Sequence, residues 1–320
     1  MLKRLVRPIY HGLRSLIARP AARQMVDAYT EHHRTAQEVY RRAGGMGAGI
    51  ALDKVGVRVQ LPSDPGPVSL PADWLERVRR VGVAAAASFD RSEACLFQPK
   101  LDRIGLPATT AEIPAVQKKQ VIAANLRDPL TIDGLAALAE PLARTIEDSI
   151  YGSFALIDKV YIYRNLVSAI DDQVSWRWHY DNHPDQIIKA MIYLTDVAED
   201  ACPFEYLRGQ RDAARIAPLP HAADTWISPA RLAEWTGRGY RPVKAVGPAG
   251  TIVLFDDNCL HKANQPERIH RDVVVFQFRP ADFKPERPID PRWTGSFLAE
   301  DVNPDPAVYR VLPKTRTYSD

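Results

Sequence analysis

The chain has 320 residues, 46% apolar, 25% charged and 8% aromatic, the profile of a globular protein that buries a core rather than of a disordered one. Its 42 Lys and Arg against 39 Asp and Glu leave a net charge of +3, too small a surplus for a general nucleic-acid binder. Three widely spaced cysteines, Cys95, Cys202 and Cys259, make neither a CxxC pair nor a disulfide framework, so a reducing cytoplasm is the expected compartment.

The first 26 residues carry Lys3, Arg4, Arg7, Arg14, Arg19 and Arg23 with no acid before Asp27. Leu2, Leu5, Val6, Ile9, Leu13, Leu16 and Ile17 fall near helical spacing. Arginines interrupt every candidate apolar run, whereas an export signal needs about 7–15 unbroken apolar residues. Two readings stay open: a basic amphipathic segment making weak contact with an anionic membrane surface, and a helix docked on its own domain. The docked helix is preferred, because any surface helix is amphipathic. Residues 1–45 are therefore expected to form a basic helical extension, with a helix over 20–43 stopped by Gly44-Gly45.

Residues 44–72 are rich in Gly and Pro and read as loop around one strand, Val55–Leu61. Helices are predicted over 72–87 and 131–150. The stretch Val81–Phe89 has nine residues without charge or proline, well short of the roughly twenty that span a bilayer. Beyond Tyr151-Gly152 the character changes. Ala155–Tyr163, Val174–Trp178, Ile187–Leu194, Thr251–Phe255 and Val273–Phe278 are short and rich in β-branched and aromatic residues, as strands are. Helices first and strands afterwards give an α+β chain with an antiparallel core, and a jelly roll or double-stranded β-helix accommodates so many short strands. The main domain, flanking helices included, is placed at 46–283, and the Pro-rich residues 284–320 are read as a tail.

The chemistry lies in two segments. In Trp176-Arg177-Trp178-His179-Tyr180-Asp181, His179 and Asp181 are two apart, so in extended backbone they point to one face. In Gly250-Thr251-Ile252-Val253-Leu254-Phe255-Asp256-Asp257-Asn258-Cys259-Leu260-His261, a glycine turn opens an apolar strand and a polar turn ends it before His261. Two histidines and one carboxylate make the facial triad of non-heme Fe(II) oxygenases, with coordination positions left open. An isolated H-x-D is a weak signal; its order with the later strand, His261 and Arg271 is the strong one. Arg271 opens the next strand, and its planar fork suits a dicarboxylic co-substrate.

Three stretches, 176–184 (WRWHYDNHP), 188–197 (IKAMIYLTDV) and 249–280, resemble the phytanoyl-CoA dioxygenase-like branch of the Fe(II)/2-oxoglutarate oxygenases. The resemblance covers about 150–280. It implies a double-stranded β-helix, Fe(II) held by His179, Asp181 and His261, 2-oxoglutarate held through Arg271, and O2 as oxidant for hydroxylating a small or carrier-linked substrate with release of succinate and CO2. The chain departs from many relatives at Gly209-Gln210-Arg211, where they have Gly-Ser-His, so the phytanoyl-CoA substrate is not carried over. Asp181 retains the carboxylate that related halogenases lack, which favours hydroxylation; desaturation or cyclisation would use the same ligands.

Other residues are weighed against these. Lys189 and Tyr193 share a face of one strand and are candidates for a second contact to 2-oxoglutarate, or else a salt-bridged lysine and a packed tyrosine. His183 is an alternative ligand and His221 a loop residue, while His270 should point away from the site if Arg271 points in. Asp256 and Asp257 are expected to cap turn amides. Cys202 and Cys259 lack a base for nucleophilic work. Trp176 and Trp178 pack on the sheet or line the substrate mouth. Residues 1–130 and 198–248 are expected to shape the substrate pocket. Arg208, Arg211, Arg215, Arg231, Arg238 and Arg241 could receive an anionic substrate, with a solvated basic surface as the preferred reading. The competing functions are a cupin-like metalloenzyme without 2-oxoglutarate and a non-catalytic binding module.

Overall fold

The computed structural model describes residues 27–45, 56–99, 121–168, 174–181, 187–217 and 226–289. Helix α1 covers 27–42, inside the predicted 20–43; the basic stretch 1–26 lies outside the described residues. The rest runs β1 (Val57–Gln60), α2 (Trp74–Phe89), β2 (Cys95–Pro99), β3 (Val121–Leu126), α3 (Leu135–Ile146), β4 (Phe154–Asn165), β5 (Ile188–Tyr193), β6 (Phe204–Arg208), α4 (Pro229–Gly237), β7 (Arg241–Ala245), β8 (Ile252–Asp256), β9 (His261–Ala263) and β10 (Arg271–Ala281).

Seven strands form one sheet in the order β1-β8-β5-β10-β4-β3-β2, and β7-β6-β9 form a second. Every named pairing in both sheets is antiparallel. The two-residue period of a strand decides what each face covers. Ile188, Ala190 and Ile192 of β5, Ile252 and Leu254 of β8, and Val274, Phe276 and Phe278 of β10 join the core beneath α2 and α3. Their neighbours Met191, Tyr193, Val253, Phe255, Val273 and Val275 join Phe204, Tyr206 and Ala245 of the small sheet. Both faces of the central strands are thus buried, which is why β8 and β10 read as continuous apolar runs.

Helix α2 turns Trp74, Val78, Val81, Ala85 and Phe89 inward, the spacing of one helical face. Helix α3 contains Pro141, which cannot donate to the carbonyl of Ala137 four residues back. Arg77 of α2 donates to that carbonyl instead, at 3.1 Å, so the proline defect becomes a link between the two helices. Helix α1 docks on the turn after α3. His33 Nε2 lies 3.0 Å from the Tyr151 carbonyl, Gln37 Nε2 donates to the same oxygen at 2.8 Å, and the Tyr40 ring meets Phe154 edge-on. No helix among the described residues is long and apolar enough to cross a membrane.

One predicted strand is corrected. Val174–Trp176 is a 3-10 turn, and the segment after it makes single contacts rather than a ladder. His179 exchanges both backbone hydrogen bonds with His261 at 2.9 Å, and Asp181 N–H donates to Asp257 O at 2.8 Å. The aromatic-rich sequence looks like a strand, but its backbone partners come singly from Trp226, His261 and Asp257. Strands β2, β3, β6, β7 and β9 and helix α4 were not foreseen from the sequence.

Candidate metal centre

His179, Asp181 and His261 each offer a ligand atom, and these atoms lie within 4.8 Å of one another. No other such group of three occurs among the described residues. The backbone bridge between His179 and His261 brings their rings to 4.4 Å between centroids. His179 Nδ1 lies 2.7 Å from the Arg177 carbonyl, and His261 Nδ1 lies 2.9 Å from the Cys259 carbonyl. A ring nitrogen facing a carbonyl must donate, so in each neutral ring Nε2 is the nitrogen that carries the lone pair a metal would take. Phe204 stacks on His261 at 5.2 Å and fixes the plane of that ring.

Asp181 divides its oxygens. Oδ1 faces His179 Nε2 at 3.9 Å, while Oδ2 takes the ammonium of Lys189 at 2.6 Å. Lys189 also reaches the wholly buried Asp257 at 3.2 Å. Burial alone would lower the lysine's pKa, but the two carboxylates outweigh it and hold the group well above its ordinary value. The donor set suits a divalent cation: two neutral imidazole nitrogens and one carboxylate oxygen, converging from fixed backbone.

The three candidate ligands line a cavity of about 310 Å³, as does Arg271. Arg271 is buried. Its Nε and Nη2 both donate to Asn165 Oδ1, at 3.0 and 2.7 Å, across the register pair that β10 and β4 form at this point. Nη1 is buried with no hydrogen-bond partner among the described residues. Leaving a charged donor unsatisfied in a protein interior costs more than the 1–3 kcal/mol or so of a neutral one, and an anion in the cavity would relieve that cost.

Tyr193, expected as a second contact to 2-oxoglutarate, does not line the cavity. Its hydroxyl donates to the Ala245 carbonyl at 2.6 Å, burial pushes its pKa up to about 12, and its ring lies 6.0 Å from the Arg271 guanidinium carbon. Lys189 does line the cavity, its charge directed at the two aspartates. Sequence reasoning passed over Tyr161, Tyr163 and Asn165, which line the cavity from one face of β4. Their i, i+2, i+4 spacing in KVYIYRN was the available signal. Asn125 of β3 also lines it.

The remaining candidates fall outside the ligand set. His270 has a half-exposed ring beside Asp272 and, as expected, does not face the cavity; His183 and His221 lie outside the described residues. Asp256 caps the Asn258 amide at 2.7 Å, as predicted, and pairs with Arg215 at 2.6 Å. Burial, opposed by that arginine, pushes the Asp256 carboxyl up to about 6. Burial likewise raises the Cys202 and Cys259 thiols, so neither is poised as a nucleophile. Trp176 lines the cavity and packs on Ile122 and Ala123, whereas Trp178 packs in a separate cluster with Tyr180 and Ile227. Among the described residues of 198–248, only Phe204 lines the cavity. Arg208, Arg211, Arg231, Arg238 and Arg241 are exposed, the solvated surface preferred from the sequence.

The family model described as phytanoyl-CoA dioxygenase (PhyH) matches residues 171–269, a span that holds all three candidate ligands and stops two residues short of Arg271. The resemblance to the phytanoyl-CoA dioxygenase-like family is borne out. None of the curated proteins matches the chain. Among solved structures, the non-heme alpha ketoglutarate dependent epimerase SnoN from nogalamycin biosynthesis aligns with a TM-score of 0.50 at 14% identity, over 72% of this chain and 82% of that one. EctD from S. alaskensis with bound Fe gives 0.48 at 15%, over 86% of each chain. HygX from Streptomyces hygroscopicus gives 0.43 at 14%, over 73% and 86%. At such identity the SnoN alignment speaks to the fold alone, and it agrees with the double-stranded β-helix expected from the sequence.

Proposed function

We propose that the protein is an Fe(II)- and 2-oxoglutarate-dependent dioxygenase that hydroxylates a small-molecule or carrier-linked substrate. The observation that carries this reading is the meeting, in one cavity, of a His-Asp-His donor set and a buried guanidinium with an unpartnered arm. His179 and His261 would hold iron through Nε2 and Asp181 through Oδ1, while Arg271 Nη1 would take the distal carboxylate of 2-oxoglutarate. Iron with 2-oxoglutarate and O2 supplies the oxidising chemistry, in which the co-substrate leaves as succinate and CO2.

The protein's part is orientation. Asn165 holds Arg271 from the side away from its free arm, so the guanidinium needs no rearrangement when an anion arrives. Tyr161, Tyr163, Phe204, Phe255 and Val275 surround the space between arginine and ligands, limiting the access of water. Arg271 and Lys189 are the only cationic side chains lining the cavity among the described residues. Both have work there already, which favours a substrate whose reacting end is uncharged. Three free cysteines fit the cytoplasmic setting read from the sequence.

The test is anaerobic titration of the apo-protein with Fe(II) and 2-oxoglutarate, followed by the metal-to-ligand charge-transfer absorbance. A band is expected in the wild type, absent in His179→Ala and demanding far more 2-oxoglutarate in Arg271→Ala. Iron binding without any band would overturn the co-substrate and favour a cupin-like metalloenzyme. No iron binding would leave a binding module of the same fold.

A further inference from the structure

Lys189 sits at the middle of the large sheet, its backbone paired with Phe255 of β8 on one side and Gln277 of β10 on the other. Its position is therefore fixed, and the freedom left to it is that of its side chain. The ammonium bridges two carboxylates, Asp181 Oδ2 at 2.6 Å and Asp257 Oδ1 at 3.2 Å. Asp257 is wholly buried, whereas Asp181 keeps 20% of its side chain exposed. Asp257 also accepts the Asp181 backbone N–H at 2.8 Å. One buried residue thus holds the candidate ligand twice, once through the main chain and once through the lysine.

Resting on the metal-centre reading above, we propose that Lys189, anchored by Asp257, is a positioning residue that fixes the Asp181 carboxylate to bind metal through Oδ1 alone. The lysine occupies Oδ2, so Asp181 is held to one bond and two-oxygen chelation is blocked. That leaves the positions opposite the triad for co-substrate and oxidant. The charges agree. Lys189, Asp181 and Asp257 together carry a net −1, enough to attract a divalent cation. Without the lysine, two neighbouring carboxylates would repel, and Asp181 would turn away from the histidines.

The opposite role is conceivable on the same geometry: a lysine that merely neutralises Asp181 and competes with the ion. The two predict opposite signs. Co(II) would be titrated anaerobically into the full-length apo-protein, with affinity read by calorimetry and coordination by visible absorption. Lys189→Met is expected to weaken Co(II) binding roughly 10–100-fold, the usual effect of losing an outer-shell partner, and to change the visible spectrum. Lys189→Arg should keep most of the affinity. The double variant Lys189→Met/Asp257→Asn, which leaves no buried carboxylate uncompensated, should recover thermal stability without recovering Co(II) affinity. Equal or tighter binding by Lys189→Met would overturn the positioning role, and so would recovery of affinity along with stability in the double variant. If the wild type bound no Co(II), or His261→Ala bound it as tightly, the metal-centre reading itself would fall and take this proposal with it.

Discussion

The two ends of the cavity handle their polar groups differently. At the His179–Asp181–His261 end, the atoms turned away from the centre are tied down: both Nδ1 atoms to backbone carbonyls and Oδ2 to Lys189. At the other end, Arg271 is gripped by Asn165 on one edge and leaves Nη1 with no hydrogen-bond partner among the described residues. The first end is organised before any ion arrives. The second holds a buried charge with one arm unpartnered among the described residues, so its worth to the fold is small.

This contrast can be broken most forcefully at the metal end. Asp181→Ala should lower metal affinity by more than the roughly 100-fold upper range of outer-shell changes, measured by calorimetric titration. Loss of only a few-fold would mean that the carboxylate is not a ligand. At the anion end, Arg271→Met should raise the 2-oxoglutarate concentration needed for half-saturation by about 10–100-fold, the worth of a charged hydrogen bond at 1.4 kcal/mol per tenfold. The same substitution should leave the apo-protein's melting temperature unchanged or raise it, because an apolar group replaces an unpaired buried charge. A marked fall in melting temperature would show that Arg271 is structural instead.

A third effect separates both ends from the Asp256–Arg215 pair. The Asp256 carboxyl is pushed up to about 6 in the fold, against 3.8 as its ordinary value. The folded state then binds the proton more tightly than the unfolded chain does. This group's contribution to stability is present below about pH 4, is lost as pH rises towards 6, and is flat above that. Relative to Asp256→Asn, the wild type should therefore lose about 2 kcal/mol between pH 4 and 6, out of roughly 3 kcal/mol in all at 1.36 kcal/mol per pKa unit. Denaturant melts across that range would show it. Parallel curves for the two proteins would mean that Arg215 keeps Asp256 charged throughout.

Much of this molecule was legible because its signals are local. The strands Ile188–Tyr193, Ile252–Asp256 and Arg271–Ala281 are apolar runs bounded by turns. Helix Trp74–Phe89 carries one apolar stripe. Gly250, at φ +90°, with a Cβ there meeting Leu75 and Pro62 at 3.0 and 3.1 Å, marks the turn that launches the strand leading to His261. The sequence by itself thereby determined the antiparallel architecture, the His-x-Asp pair and the later His261 and Arg271, since those depend on residue type and short spacing.

Tertiary structure decided what depends on neighbours distant in sequence. Val174–Trp176 formed a 3-10 turn, and the residues after it found their backbone partners one at a time from separate segments. Strands β2, β3, β6 and β7 carry no strong alternation and exist through their pairing. Asn165 entered the site because the β4–β10 register sets it opposite Arg271, whereas Tyr193, at the end of β5, packs between the sheets with its hydroxyl on the Ala245 carbonyl. Lys189 was directed to Asp181 and Asp257 because folding brought the residues beyond β8 against the end of the His179–Asp181 segment. Side-chain identity names the chemistry a residue can do; which partner it meets is set by register and packing across the fold.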